Sequence, residues 1–187
     1  MHQEALTSDL KELWPKIKHF REFTLVGGTA LALQIGHRVS VDFDLFSRKE
    51  LPPTLRRRIR DVFRDSRVEI VLHLKNQINV IVNGVTITFF SYPFPVFQRR
   101  ITWSGVKILP ISTVAAMKAY TIGRRATYKD YVDLYYIVKE KRCPLASLMQ
   151  SAKKIFKDEF GERLFLEQLV YLEDIREVPL RFLKDPV

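Results

Sequence analysis

The chain has a single cysteine, Cys143, among its 187 residues. That excludes an internal disulfide, and no cluster of cysteine and histidine at zinc-ligand spacing accompanies it. No apolar run approaches the roughly 20 residues of a membrane span, and the first residues carry no secretory-leader pattern, so a cytoplasmic location is the expectation. Internal repeats and low-complexity tracts are missing as well. Acidic residues are few relative to basic ones: 21 Asp and Glu stand against 31 Lys and Arg, a formal net charge of +10. The surplus falls partly in runs. Arg56, Arg57, Arg58, Arg60 and Arg64 crowd one segment, followed by Arg99 and Arg100, Arg124 and Arg125, and Lys139, Lys141 and Arg142. Such patches attract phosphate backbones and speed encounter with nucleic acid, although the same charge also suits docking on an acidic protein.

What is present is a chain 47% hydrophobic, enough for a sizeable core. Within it the segment TLVGGTALALQIGHRVSVDFDL, Thr24 to Leu45, carries the most information. It orders a short apolar strand, a Gly-Gly turn, a small-residue helix and a strand with two aspartates at alternate positions. Side chains alternate across a strand, so Val39, Val41, Phe43 and Leu45 are expected to fill a core while Ser40, Asp42 and Asp44 face a cleft together. Two carboxylates held side by side raise each other's pKa unless a cation sits between them, which points to a Mg2+ site. Gly27 and Gly28 lack Cβ and can bring backbone N–H groups close to an anion. With Thr29 starting the helix Ala30 to Ile35, its N-terminus becomes a phosphate-binding element. His37, just after Gly36, reads as a cap on the last carbonyls of that helix or as a base.

Elsewhere the patterning predicts a helix over residues 8–20, with Ser8 as N-cap and Pro15 weakening it. Strands are expected over 23–26, 40–46, 67–74, 78–82 and 85–90, with Asn83-Gly84 as a hairpin turn. Pro52 and Pro53 open the arginine-rich helix. After Tyr92-Pro93-Phe94-Pro95 come a short strand over 106–109 and helices over 113–122, 128–139, 145–156 and 162–172. The fold class expected is α+β: a mixed sheet over residues 1–109 and a helical C-terminal region over 110–187 that contributes to the cleft.

A second constellation lies in MKAYTIGRRATYKDYVDLYYI. On a helix, Asp130 and Asp133 are three apart and Lys129 and Asp133 four apart, so they share a face, while Tyr131, Leu134, Tyr135 and Val138 are expected to bury another. Taken alone, a Lys-Asp pair at this spacing is equally at home on a solvated helix.

These two blocks resemble the nucleotidyltransferase superfamily of the DNA polymerase beta type, and within it the AbiEii/AbiGii toxin-like group. The matching residues are Gly27 to Leu33, Gly36 to Arg38, Ser40, Asp42 to Phe46, and then Lys118, Arg125, Lys129, Asp130 and Asp133. The resemblance implies a polymerase-beta-like core and transfer of a nucleoside monophosphate from an NTP to an acceptor hydroxyl. Asp42 and Asp44 would hold Mg2+, or Mn2+ in its place. Gly27, Gly28, Thr29, Arg38, Ser40, Lys118, Arg125 and Lys129 would contact the nucleotide, and Asp130 would position Lys118, Arg125 or the metal. It also implies a toxin with a cognate antitoxin; the basic charge makes RNA such as the tRNA 3′ end the attractive acceptor, with a protein hydroxyl as the other, and no membrane partner is expected. The alternatives left open are a catalytically weak nucleotide- or RNA-binding protein and a transferase acting on small molecules of the antibiotic type. One departure stands out: the third carboxylate of such enzymes, on a later core strand, maps to Thr88, with Thr86 beside it. Glu69 and Asp130 are the candidate substitutes.

Overall fold

The computed structural model describes residues 1–96, 99–125, 127–173, 175 and 178–186. Helix α1 (Ser8–Ile17) is capped by Thr7, whose hydroxyl accepts from the Leu10 amide, rather than by Ser8. It ends three residues short of the expected Phe20. Pro15 falls in its last turn, where it removes the amide that would donate to Lys11 C=O, and only two helical residues follow it. Strand β1 (Thr24–Val26) leads into α2 (Gly27–Ile35), which starts three residues earlier than expected because Gly27 adopts φ +66 and turns the chain directly out of the strand. Strand β2 (Asp42–Ser47), helix α3 (Leu55–Val62) and the meander β3 (Val68–His73), β4 (Gln77–Val82) and β5 (Val85–Ser91) follow. Asn83 and Gly84 both take positive φ, as the tight hairpin between β4 and β5 requires. A second hairpin joins β6 (Ile101–Trp103) to β7 (Val106–Ile108) through Ser104-Gly105, again with both φ positive. The sequence reading missed β6, a three-residue strand held in place by that turn.

Among the described residues, seven strands form one mixed sheet in the order β3-β4-β5-β2-β1-β7-β6. Strand β2 runs parallel to β5 and antiparallel to β1, and β1 runs parallel to β7. Phe43 and Leu45 are in register with Ile87 and Phe89, so these four residues share the core face. The rings of Phe20 and Phe23 lie against Phe89, Phe63 stacks on Phe20, and Trp14 meets Phe43. Helices α1 and α3 therefore cover one face of the sheet. Leu55, Ile59 and Phe63 are the buried anchors of α3, leaving Arg56, Arg57, Arg60 and Arg64 outside.

The remaining helices are α4 (Ile111–Ile122), α5 (Tyr128–Lys139), α6 (Leu145–Phe156) and α7 (Glu162–Val170). Helix α4 packs against α2, α5 and α6. The chain then returns to the start of the cleft: Val39 N–H donates to Arg181 C=O, Leu183 N–H donates to His37 C=O, and Arg38 bridges to Phe182.

Candidate active site

The floor of the site is β2. Asp42 and Asp44 project from the face opposite Phe43 and Leu45, about 7 Å apart along the strand. Val41 departs from the expected alternation. It is 64% exposed and lines the cleft, because regular strand geometry begins only at Asp42 and the preceding residues follow the returning C-terminal segment. Ser40 is buried, and its hydroxyl is paired at 2.7 Å with Thr29 Oγ1.

The two glycines of the turn make room for side chains. A Cβ on Gly27 would stand 2.5 Å from Asp44 Oδ2, and one on Gly28 would stand 2.4 Å from Arg38 Nη2. The Gly-Gly pair thus lets a carboxylate and a guanidinium lie directly on the N-terminus of α2. Thr29 is fully buried. Its hydroxyl reaches Asp42 C=O at 2.5 Å and Asp42 Oδ1 at 3.2 Å, so it orients Asp42 instead of facing the open cleft as a phosphate contact.

The opposite wall comes from α4 and α5. Asp130 and Asp133, both fully buried, receive Lys118 Nζ at 2.6 Å each. Asp133 also accepts from Arg38 Nε at 2.7 Å and Nη2 at 3.0 Å, and pairs with His37 Nε2 at 2.8 Å. Asp130 accepts from Arg125 Nε at 3.2 Å. Lys129 and Asp133, expected to share a helix face, point apart and do not pair. Asp133 faces inward, while Lys129 Nζ lies 3.8 Å from Asp42 Oδ2. Packing of α5 against α2 and α4 explains why its inner face holds these two aspartates with Val132, Leu134, Tyr136 and Ile137. Tyr135 and Val138, expected in the core, are 41% and 39% exposed. His37 neither caps a helix with its ring nor reaches the cleft; it is a buried partner of Asp133.

The electrostatics separate the carboxylates. Burial favours the neutral form of Asp44, and the Asp42 charge adds to it, lifting its pKa to about 6 against the pull of Lys129, Lys118 and Arg125. Burial would raise Asp133 too, but Lys118 and Arg38 outweigh it and hold Asp133 well below the usual carboxylate range. Burial alone would neutralise Lys118; Asp133 and Asp130 reverse this and keep it charged. Asp42 and Asp44 are therefore the carboxylates left available in the cleft, whereas Asp130 and Asp133 are committed to cations.

The cleft between β2 and α4/α5 has a volume of about 900 Å³. It brings Gly27, Gly28, Arg38, Ser40, Asp42, Asp44, Lys118, Arg125, Lys129 and Asp130 onto one surface; Thr29 lies behind it. Phe46, Tyr92, Tyr120 and Arg124 line one end, and Val178, Pro179, Leu180 and Arg181 line the other. The sequence reading named Phe46 and Arg124 without placing them in the cleft, and it gave Asp133 no part in a buried ion network. The i, i+3 spacing of Asp130 and Asp133 was the available signal for the latter, whereas nothing local marks a C-terminal segment that returns to the cleft.

Thr88 is in register with Asp44 and Thr86 with Asp42, so the third-carboxylate slot is occupied by hydroxyls. Glu69 is three strands away, through Ile81 and Thr86, about 14 Å from Asp42 at ordinary strand spacing. That distance removes it as a substitute, and Asp130 is already engaged by Lys118 and Arg125.

The donor set suits a hard divalent cation. Asp42 and Asp44 supply carboxylate oxygens side by side, and no hydrogen bond to the Asp44 carboxylate is formed among the described residues. No group of three or more His, Cys, Asp or Glu residues able to hold a metal occurs among the described residues. Two carboxylates completed by phosphate oxygens and water is a usual arrangement for Mg2+.

Comparison with known proteins is consistent with this geometry. Residues 8–94 match the family model described as the nucleotidyl transferase AbiEii toxin of a type IV toxin-antitoxin system. An uncharacterised protein of Aquifex aeolicus (strain VF5) is 32% identical over 158 residues, covering 83% of this chain and 76% of that one. Among solved structures, a Helicobacter pylori protein crystallised as a candidate nucleotidyltransferase superposes with a TM-score of 0.61 at 17% identity, over 91% of this chain and 93% of that one. The nucleotidyltransferase toxin MenT4 of Mycobacterium tuberculosis H37Rv gives 0.54 at 15% identity, over 83% and 66%. The antibiotic-resistance factor ANT(2'')-Ia gives 0.56 at 12%, over 79% and 91%.

Proposed function

The chain belongs to the AbiEii nucleotidyltransferase toxin family, and on that premise we propose that it transfers a nucleoside monophosphate from an NTP to an acceptor hydroxyl, with RNA as the acceptor class. The observation that carries the reading is the pair Asp42 and Asp44 on β2, facing a cationic wall across a cleft large enough for a nucleotide. Asp42 and Asp44 would hold Mg2+, which compensates phosphate charge and acidifies the attacking hydroxyl when bound. The rest of the chemistry falls to the chain. The α2 N-terminus directs its free amides at the leaving diphosphate. Arg125 and Lys129, at the cleft surface, supply the cations best able to reach it, while Lys118, already shared by Asp130 and Asp133, holds that wall in place. Thr29 orients Asp42. Fixed positions and fixed charges, rather than a covalent nucleophile, supply the rate in such reactions. A cognate antitoxin belongs to the same reading through the family.

Thr88 in the slot beside Asp44 favours a second reading, binding with little or no turnover. The two separate when purified protein is incubated with each alpha-labelled NTP, Mg2+ and total tRNA, beside an Asp42→Ala/Asp44→Ala control. Label in RNA only with intact carboxylates supports transfer to RNA. In a parallel mixture with an aminoglycoside in place of tRNA, label in that acceptor but not in RNA would instead favour an acceptor of the antibiotic class. NTP binding without release of pyrophosphate in any mixture would favour the second reading.

A further inference from the structure

We propose that Arg124 is a stacking platform for a nucleobase, built at the aromatic end of the cleft; the placement rests on the nucleotidyltransferase reading of that cleft. Arg124 is the outer layer of a stack. The Tyr120 ring lies against Phe156 with centroids 4.0 Å apart and an interplanar angle of 15°, and the Arg124 guanidinium carbon stands 3.6 Å from the centroid of Tyr120. At that distance the guanidinium lies on the ring face. With one face of Tyr120 given to Phe156 and another to Arg124, the next surface offered to the cleft is the guanidinium itself, whose side chain is 44% exposed.

The hydrogen bonds fix that orientation. Arg124 Nη1 donates to Tyr120 C=O at 3.3 Å and Nη2 donates to Glu159 C=O at 2.7 Å, while Tyr120 OH donates to Glu159 Oε2 at 2.8 Å. Both terminal nitrogens are thus engaged within the protein, and the Glu159 carboxylate lies 3.9 Å from Nη2. An arginine so arranged is poorly suited to gripping phosphate, since its fork is engaged and an acidic group stands beside it. Its flat face remains, and guanidinium planes stack on bases as aromatic rings do. The neighbouring Arg125 turns the other way, to Asp130. Adjacent arginines therefore divide the cleft into a charge-handling part and a stacking part.

The sheet presents a second aromatic surface in the same cleft. Phe46 follows Asp42 and Asp44 on the same face of β2, and its ring lies 5.2 Å from that of Tyr92. Both residues line the cleft with Arg124 and Tyr120. A flat, π-rich ligand portion is offered guanidinium and aromatic faces here, next to the carboxylate pair. A nucleobase is the portion of a nucleotide or RNA that has this character.

The base belongs either to the NTP or to the acceptor, and one set of titrations separates the two. Binding of each NTP, of inorganic tripolyphosphate and of a mixed-sequence RNA trinucleotide would be measured with Mg2+ on the wild-type protein, Arg124→Lys and Arg124→Ala. Thermal melts would confirm folding, which the exposure of this side chain favours. Wild-type protein is expected to bind at least one base-bearing ligand, and loss of the platform should weaken that ligand about tenfold or more. Arg124→Lys keeps the charge and loses the plane, so it should behave like Arg124→Ala. Weakened NTP with unchanged tripolyphosphate assigns the platform to the nucleotide; weakened trinucleotide with unchanged NTP assigns it to the acceptor. If both variants bind all three ligands as wild type does, or if lysine restores binding, the platform is refuted. Failure of wild type to bind tripolyphosphate or NTP refutes the triphosphate reading instead, and the trinucleotide titration still decides the platform.

Discussion

Replacing Asp44 by Asn should stabilise the metal-free protein while abolishing transfer. In the folded chain, burial and the charge on Asp42 lift the Asp44 carboxyl from 3.8 to about 6. The sign follows from linkage: for a carboxyl raised by folding, stability is fully present below the unfolded pKa and is lost as pH rises through the folded one. The loss therefore develops between pH 3.8 and about 6 and is complete above that. At about 1.4 kcal/mol per tenfold change, the interval corresponds to about 3 kcal/mol. Solvent at the mouth of the cleft screens part of this, leaving on the order of 2 kcal/mol. For a domain of this size that is a rise in Tm of about 4–8 °C for Asp44→Asn at pH 7.5, shrinking toward zero near pH 4. The assay is a pair of thermal melts across that pH range in the presence of a chelator, repeated with Mg2+ and NTP. With the ligands, wild type should gain stability and the variant should not. A variant that is less stable than wild type by the same amount at every pH would refute the reasoning, because Asp44 would then be a structural acceptor rather than a strained, available carboxylate.

Asp133→Ala should have the opposite effect. It removes the shared partner of Arg38, His37 and Lys118, and breaking a buried ion pair from one side costs about 3–5 kcal/mol, visible as a Tm lower by roughly 10 °C; a shift within error would mean the network is not a structural element. Gly28→Ala should also lower stability, since its Cβ would displace Arg38 Nη2 from Asp133; an unchanged Tm would show that Arg38 can shift freely. Arg57→Ala/Arg60→Ala should leave transfer to a short acceptor unchanged, because α3 lies on the face of the sheet opposite Asp42 and Asp44. A large fall in turnover would require the acceptor to wrap around the sheet.

The part of this protein legible in its sequence is the part built from neighbours along the chain. Alternation placed Asp42 and Asp44 opposite Phe43 and Leu45, Asn83-Gly84 announced its hairpin, and helical periodicity located α5 and α6 to the residue. Thr88 was mapped to the slot beside Asp44 through the family resemblance; the two-residue turn ties β5 only to β4, and the parallel β2–β5 register is a contact between distant segments. What folding alone decided are the contacts between distant segments. Asp133 looked like half of a solvated helix pair until Arg38 and His37, almost a hundred residues earlier, met it in the interior. The glycines read as an approach for phosphate, and they also clear space for Asp44 and Arg38. The arginine helix stood out by composition, yet the sheet lies between it and the cleft. A sequence fixes which side chains are charged and how each local element repeats; whether a charge meets solvent, an opposite charge or a ligand depends on which elements pack together, and that is set by burial of apolar surface summed over the whole chain.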